Sequence, residues 1–265
     1  MEQQQGFSAL PQTLQELLEP YKTAGMIADE IGCSLSRVFQ IGPYYLKMTP
    51  ESAAIKLLAE KERLEWLQGR LPVPQVHFYG QDERFEYLLL STVPGKLSCD
   101  RLFLSDLPAL VRLLAEGLRQ IHAIPIADCP FDMRLEQRLS RARSYVYSNR
   151  IADAPSWAFR SAEEARALYE RLAQTQPPED PVLTHGDYCL PNILIQSWRI
   201  SGFIDLAQAG VADRYFDLAL ACRSLLYNFP EAEPLLPEFF QTYGISSVDR
   251  EKLDYYRLLD ELTEL

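Results

Sequence analysis

Apolar residues recur along this chain in two rhythms, and the point where one gives way to the other divides it. Leu14, Leu17, Leu18 and Tyr21 fall at i, i+3, i+4 and i+7, which predicts a helix over Pro11 to Tyr21 with one apolar face. The rhythm then shortens. Arg37–Ile41 and Tyr44–Met48 read as strands joined by a turn at Gly42-Pro43. A second helix is predicted from Pro50 to Gln68, opened by Pro50-Glu51, closed by Gly69 and packed through Ile55, Leu58, Leu64 and Trp66-Leu67. After Leu71-Pro-Val-Pro two more strand-like runs follow, Gln75–Tyr79 and Phe85–Ser91, with a polar turn from Gly80 to Arg84 between them.

Val93-Pro94-Gly95 breaks the chain, and beyond it the helical period dominates. Helices are predicted at Leu107–Ile121, Leu135–Tyr147, Ala162–Gln174, Asp213–Leu226 and Val248–Leu262, interrupted by a strand-and-loop region from Val182 to Leu206. The division gives an N-terminal lobe, residues 1–93, and a C-terminal lobe, residues 94–265, with residues 92–95 as the natural hinge.

Composition narrows the function. Hydrophobic residues make up 47% and charged residues 24% of the 265, enough to bury a full core and ordinary for a globular enzyme. No apolar run approaches the roughly 18 residues of a membrane span, and the first ten residues lack the basic and apolar regions of a signal peptide. Five cysteines, scattered and without a C-x-x-C pair, point to reduced thiols in a cytoplasmic protein rather than to disulfides or zinc. With three histidines a histidine-rich metal centre is not expected. A net charge of −11 opposes binding to nucleic acid and suits a cationic small molecule.

The chemistry concentrates in Leu183-Thr-His-Gly-Asp-Tyr-Cys-Leu-Pro-Asn-Ile-Leu-Ile. An apolar strand enters, His185-Gly186-Asp187 turns, and Asn192 begins a second apolar strand after four intervening residues. Phosphoryl transfer needs these types at this spacing: a carboxylate to orient the attacking hydroxyl, and an amide oxygen a few residues on to hold Mg²⁺ against the phosphates. Asp205, in Ser201-Gly-Phe-Ile-Asp-Leu at the end of another apolar run, matches a second magnesium-binding carboxylate. His185 reads as structural.

The segments His185-Gly-Asp-Tyr-Cys-Leu-Pro-Asn192, Gly202-Phe-Ile-Asp205, Gly210-Val-Ala-Asp-Arg-Tyr-Phe-Asp217 and Arg223-Ser together resemble the aminoglycoside phosphotransferases, within them the 3′-phosphotransferases. The likeness extends to Tyr45-Leu-Lys-Met-Thr, Trp66-Leu-Gln-Gly-Arg-Leu-Pro-Val-Pro and Tyr255-Tyr-Arg-Leu-Leu-Asp-Glu-Leu, so it covers about residues 24 to 262. It implies an α+β, protein-kinase-like two-lobe fold, with an antiparallel sheet and helices in the N-lobe and a mostly helical C-lobe. It also implies ATP and Mg²⁺ as cofactors and transfer of the γ-phosphoryl group to a hydroxyl of an aminoglycoside.

By the same resemblance Lys47 reaches the ATP phosphates and Glu60, thirteen residues on, pairs with it. Ser34 lies in the nucleotide loop Cys33–Arg37, Tyr45 rests on the adenine, and Ser91 to Val93 form the hinge that hydrogen-bonds the base. Asp260 and Glu261 grip the amines of the drug, with Asp153 a thin remnant of an acid-rich stretch; Gln208 stands where the family carries an arginine and Tyr227 where some members carry an acid. The competing expectations are a kinase for another hydroxylated amine and a nucleotide-binding module without turnover.

Overall fold

The computed structural model describes residues 7, 9–29, 36–50, 53, 56–148 and 161–262. They form two compact units, one of Met1–Gly95 with Ser201–Ala207 and one of Lys96–Ile200 with Gln208–Leu265. Where the sequence predicts two unbroken spans meeting at residue 93, the first unit runs to Gly95 and takes in a later segment. The reason is local bonding. The Phe203 amide donates to the Pro72 carbonyl at 2.9 Å, and Gly202 lies so close to Val93 that a Cβ there would meet its Cγ1.

The first unit is built on an antiparallel sheet of five strands in the order β1-β2-β3-β5-β4. The strands are β1 (Ile27–Asp29), β2 (Arg37–Ile41), β3 (Tyr44–Pro50), β4 (Val76–Gln81) and β5 (Phe85–Ser91). Because side chains alternate across a strand, the pairing Leu46↔Leu89 turns two leucines to one face. There they join Phe7, Leu10, Ile41 and Tyr87 in the unit's apolar cluster. Helix α1 (Gln12–Leu18) adds Leu14 and Leu18, both fully buried. Leu17, predicted on the same face, is 46% exposed, because the helix gives way at Leu18 to a 3₁₀ turn opened by Pro20.

The opposite face carries Lys47, directly across from Leu88. Helix α2 (Leu57–Leu67) packs against β4 and β5. The predicted helix start at Pro50 is corrected: β3 continues through Pro50, which pairs with Phe85, and sheet pairing overrides the local helical signal.

The second unit is mainly helical: α3 (Leu107–His122), α4 (Leu135–Val146), α5 (Ala162–Gln174), α6 (Arg214–Asn228), α7 (Leu236–Tyr243) and α8 (Arg250–Glu261). Asp106 caps α3 by accepting from the Ala109 amide at 3.1 Å, and Ser161, Asp213 and Asp249 cap α5, α6 and α8 in the same way. Helix α3 packs on α7, and α6 on α8.

Two short sheets lie among these helices. Strand β7 (Pro181–Thr184) pairs antiparallel with β10 (Gly210–Asp213), and β6 (Lys96–Leu97), β8 (Ile193–Gln196) and β9 (Arg199–Phe203) follow in the order β6-β8-β9. Strand β10 and helix α7 go beyond the elements predicted from the sequence. The β7–β10 pair delivers the chain to His185 on one side and, through Asp213, to the start of α6 on the other.

Candidate active site

In the second unit β7 ends at Thr184, and the next residues form a turn whose shape is dictated from below. Asp217, fully buried on the first turns of α6, accepts from the His185 amide at 2.7 Å, the Gly186 amide at 3.0 Å and His122 Nε2 at 3.1 Å. Burial pushes the Asp217 carboxyl up, but the His122 hydrogen bond and the nearby imidazoles outweigh this and hold it below its ordinary range. His122 Nδ1 lies 2.6 Å from the Tyr243 hydroxyl, so the acid sits in a satisfied buried network.

Gly186 adopts φ +85°, and a Cβ there would strike the Gln208 carbonyl. Only glycine fits. His185 is buried, and its Nδ1 accepts from the Asp187 amide at 3.3 Å, in keeping with a structural role.

The turn presents Asp187, half-buried, and the chain then folds back to Asn192. Asn192 Nδ2 donates to Asp187 Oδ2 at 2.7 Å and to the Asp187 carbonyl at 3.0 Å. The intervening residues are anchored elsewhere: the Tyr188 hydroxyl donates to the Leu114 carbonyl at 2.7 Å, and the Leu190 amide to Ser224 Oγ at 2.9 Å. Cys189, between them, has its thiol pushed well up by burial and by the Asp187 carboxylate.

Farther along this unit Asp260 is buried and pairs with Arg223 at 2.6 Å. Glu261, on another face of α8, pairs with Arg257 at 3.0 Å. The two acids predicted to act together therefore each hold a different arginine. Tyr227, one helical turn beyond Arg223, is 85% exposed.

In the first unit Lys47 Nζ reaches Glu60 Oε1 at 2.7 Å and also contacts Asp205 Oδ1. Burial alone would lower the lysine, but the Asp205 and Glu60 charges prevail and raise it above its ordinary range, so it stays a cation. Burial raises Glu60, the Lys47 charge opposes this, and the Asp205 charge adds to it. Asp205 adopts φ +58°, a left-handed conformation that aspartate tolerates better than most residues and that clusters at functional sites.

Tyr45 is half-buried on β3 opposite Leu90. Of the hinge residues, Ser91 is already engaged: its amide donates to the Gln75 carbonyl and its hydroxyl accepts from the Gln75 amide, both at 2.9 Å. The Thr92 amide donates to Pro43. The Val93 amide makes no protein hydrogen bond among the described residues. Ser34 and Asp153 lie outside the described residues. The neighbouring Ser36 is tied by its hydroxyl to Thr49, 2.5 Å away.

In the second unit the Asn192 amide nitrogen is spent on Asp187, and its oxygen, a hard donor of the kind magnesium takes, is not used in that bond. In the first unit Asp205 carries a carboxylate of the same hard class. Among the described residues no group of three or more His, Cys, Asp or Glu gathers as a metal centre. One or two protein oxygens are what a magnesium ion entering with a nucleotide requires.

Asp217 is the residue whose importance sequence reasoning missed. A lone acid inside the apolar run Tyr215-Phe-Asp-Leu-Ala-Leu-Ala was the available signal.

A sequence model of the phosphotransferase enzyme family matches residues 30–256. An aminoglycoside 3′-phosphotransferase of Niallia circulans is 36% identical over 255 residues, covering 93% of this chain and 96% of that protein. Its counterpart from Enterococcus faecalis is 34% identical over 260 residues, 94% and 96% of the two chains. Among solved structures, an aminoglycoside phosphotransferase from Streptomyces rimosus matches 96% of this chain and 99% of its own, with a TM-score of 0.79 and 29% identity. That protein has also been solved with ADP and streptomycin.

Proposed function

Because this chain belongs to the aminoglycoside phosphotransferase family, we propose that it transfers the γ-phosphoryl group of ATP to the 3′-hydroxyl of an aminoglycoside antibiotic and so confers resistance. The observation that carries the reading is the Asp187–Asn192 contact of 2.7 Å on a turn anchored by Asp217. It holds one carboxylate oxygen on an amide and leaves the half-buried group oriented for an incoming alcohol. The ADP and streptomycin bound by the Streptomyces rimosus relative support the choice of nucleotide and substrate class.

In a loose transition state the alcohol needs little activation. Asp187 orients the hydroxyl and collects its proton late in the transfer. Lys47, kept charged by Glu60, stabilises negative charge on the phosphates. Asn192 and, separately, Asp205 each offer an oxygen that would suit Mg²⁺, and the ion when bound would neutralise charge on the phosphate oxygens. The Val93 amide serves as the hinge donor to the base with Tyr45 against it. On the substrate side Asp260 and Glu261 attract the cationic drug, whose amines exchange with the Arg223 and Arg257 cations they now hold. The thiols of Cys99, Cys129, Cys189 and Cys222 form no disulfide among the described residues, which supports a cytoplasmic setting for an ATP-using enzyme.

The test is ATP consumption with kanamycin, neomycin and ribostamycin beside D187A, with the phosphorylated carbon assigned by NMR. Turnover that D187A abolishes and a 3′-phosphate product support the proposal. Turnover only with other amine-bearing alcohols moves the substrate class, and ATP binding without turnover overturns the reading.

A further inference from the structure

Helix α2 carries Glu60, yet its own cap position does not close its N-terminus. Lys56 occupies the cap position and provides no side-chain cap bond. The first amides of a helix have no partner within it and need an acceptor from elsewhere. Here the acceptor comes from the sheet: the Leu58 amide donates to Glu86 Oε2 at 3.2 Å.

Glu86 is an unusual residue for its place. It sits on β5, flanked by β3 and β4, and is 4% exposed. A carboxylate buried there loses its hydration and must be compensated. It has the helix N-terminus, whose partial positive charge favours an anion, and Lys56 Nζ at 3.6 Å.

Register ties this contact to the nucleotide lysine. Glu86 pairs with Thr49, and Lys47 lies two residues from Thr49 on the same strand. Side chains repeat every second residue along a strand, so Lys47 and Glu86 rise from the same face, toward α2. The helix is thus held to that face by two carboxylates of opposite provenance: Glu86 reaches up from the sheet to the first turn, and Glu60 reaches down to Lys47 at 2.7 Å. Only Ala59 lies between Leu58 and Glu60, so the clamp at one fixes the height and rotation of the other.

We propose that Glu86 is a positioning residue for the nucleotide site, acting as a cap in trans that holds α2 so that Glu60 meets Lys47. It touches no reacting group itself. The inference rests on the phosphotransfer reading for its kinetic test, while its binding test needs only that the protein takes up ATP.

The experiment compares wild type, E86L, E86D, E86Q, E60A and the double variant E86L/E60A. Steady-state kinetics give KM for ATP and for kanamycin, and affinity for a fluorescent ATP analogue is measured separately. Losing a cap predicts that E86L weakens ATP binding about fivefold to tenfold, with KM for kanamycin within about twofold. E86Q, which keeps an oxygen acceptor, recovers most of the loss, and E86D, one methylene shorter, does not. Since Glu86 acts through Glu60, the double variant is no worse for ATP than E60A alone.

Equal weakening of both substrates, a change in thermal midpoint with no change for ATP, or multiplying effects in the double variant would each overturn the proposal. If E86L does not fold, E86D against E86Q decides it by the same ATP readout. A wild type that binds the analogue and turns over nothing sinks the phosphotransfer reading. The fivefold-to-tenfold difference in analogue affinity then still judges Glu86.

Discussion

The two units hold their functional groups by opposite means. Around Lys47 the first unit uses charge against charge: one ammonium serves Glu60 and Asp205, with each partner's state depending on the others. Around Asp187 the second unit uses backbone: amides at His185 and Gly186 on a buried Asp217, and an asparagine side chain on Asp187. A cluster held by charges can be rearranged by an arriving ion, because any ion competes for the same partners. A turn held by its own amides keeps its form whether or not a ligand is present. The contrast teaches where adaptation to the nucleotide should occur and where it should not.

The sharpest probe of the second unit is Asp187→Ala, which should lower kcat by about 10²- to 10⁴-fold and leave KM for ATP nearly unchanged, measured by coupled ATP consumption. A comparable effect appears in stability when the anchor is removed. Asp217→Ala, which strands two amides and an imidazole, should cost about 3–5 kcal/mol in urea unfolding. Asp217 is held below its ordinary value of 3.8. Its contribution is therefore complete at neutral pH, persists as pH falls to that value, and is lost only as pH drops further through the depressed folded pKa. The gap between wild type and Asp217→Asn in urea midpoint should close in that acid window and not near neutrality.

The first unit answers differently. Lys47→Met should lower kcat/KM for ATP by roughly 10²-fold with a loss of thermal stability smaller than that of Asp217→Ala, because once the shared cation is gone Glu60, already raised by burial, can take up a proton and Asp205 is half-exposed. If stability fell as far as in Asp217→Ala, the distinction between a charge-held and a backbone-held site would fail. Gly186→Ala should cost about 1–3 kcal/mol from forcing a left-handed backbone on alanine, with the clash of its Cβ on the Gln208 carbonyl added to that, read from the unfolding midpoint. The smallest concerns thiols. Burial raises Cys189 well above its usual range and pushes Cys222 up to about 12, so maleimide should label neither appreciably at neutral pH in the folded protein. Mass spectrometry after brief labelling checks this.

How much of this could be read from the sequence depended on how far apart the interacting residues lie. Asp187 and Asn192 are neighbours in the chain, and their spacing already encodes their contact. Lys47 and Glu60 became a pair only through the family likeness, and the structure joins them. The role of Asp217 depends on amides more than thirty residues upstream, and that of Glu86 on an amide at Leu58. No local pattern records such contacts. The same holds for the fold. The long amphipathic helices were visible, whereas Gly210–Asp213 is a strand only because β7 lies beside it, and Pro50 ends a strand only because Phe85 pairs with it. Helix α7 escaped because prolines at 230, 234 and 237 mask a short segment whose Phe239, Phe240 and Tyr243 are buried.

The glycine at 186 has a consequence for inhibition. Resistance enzymes evade drugs by exchanging contact residues, and an exchange here has nowhere to put its first carbon, because the Gln208 carbonyl already occupies that space. A compound that rests on this turn would meet a contact the enzyme has no tolerated way to alter.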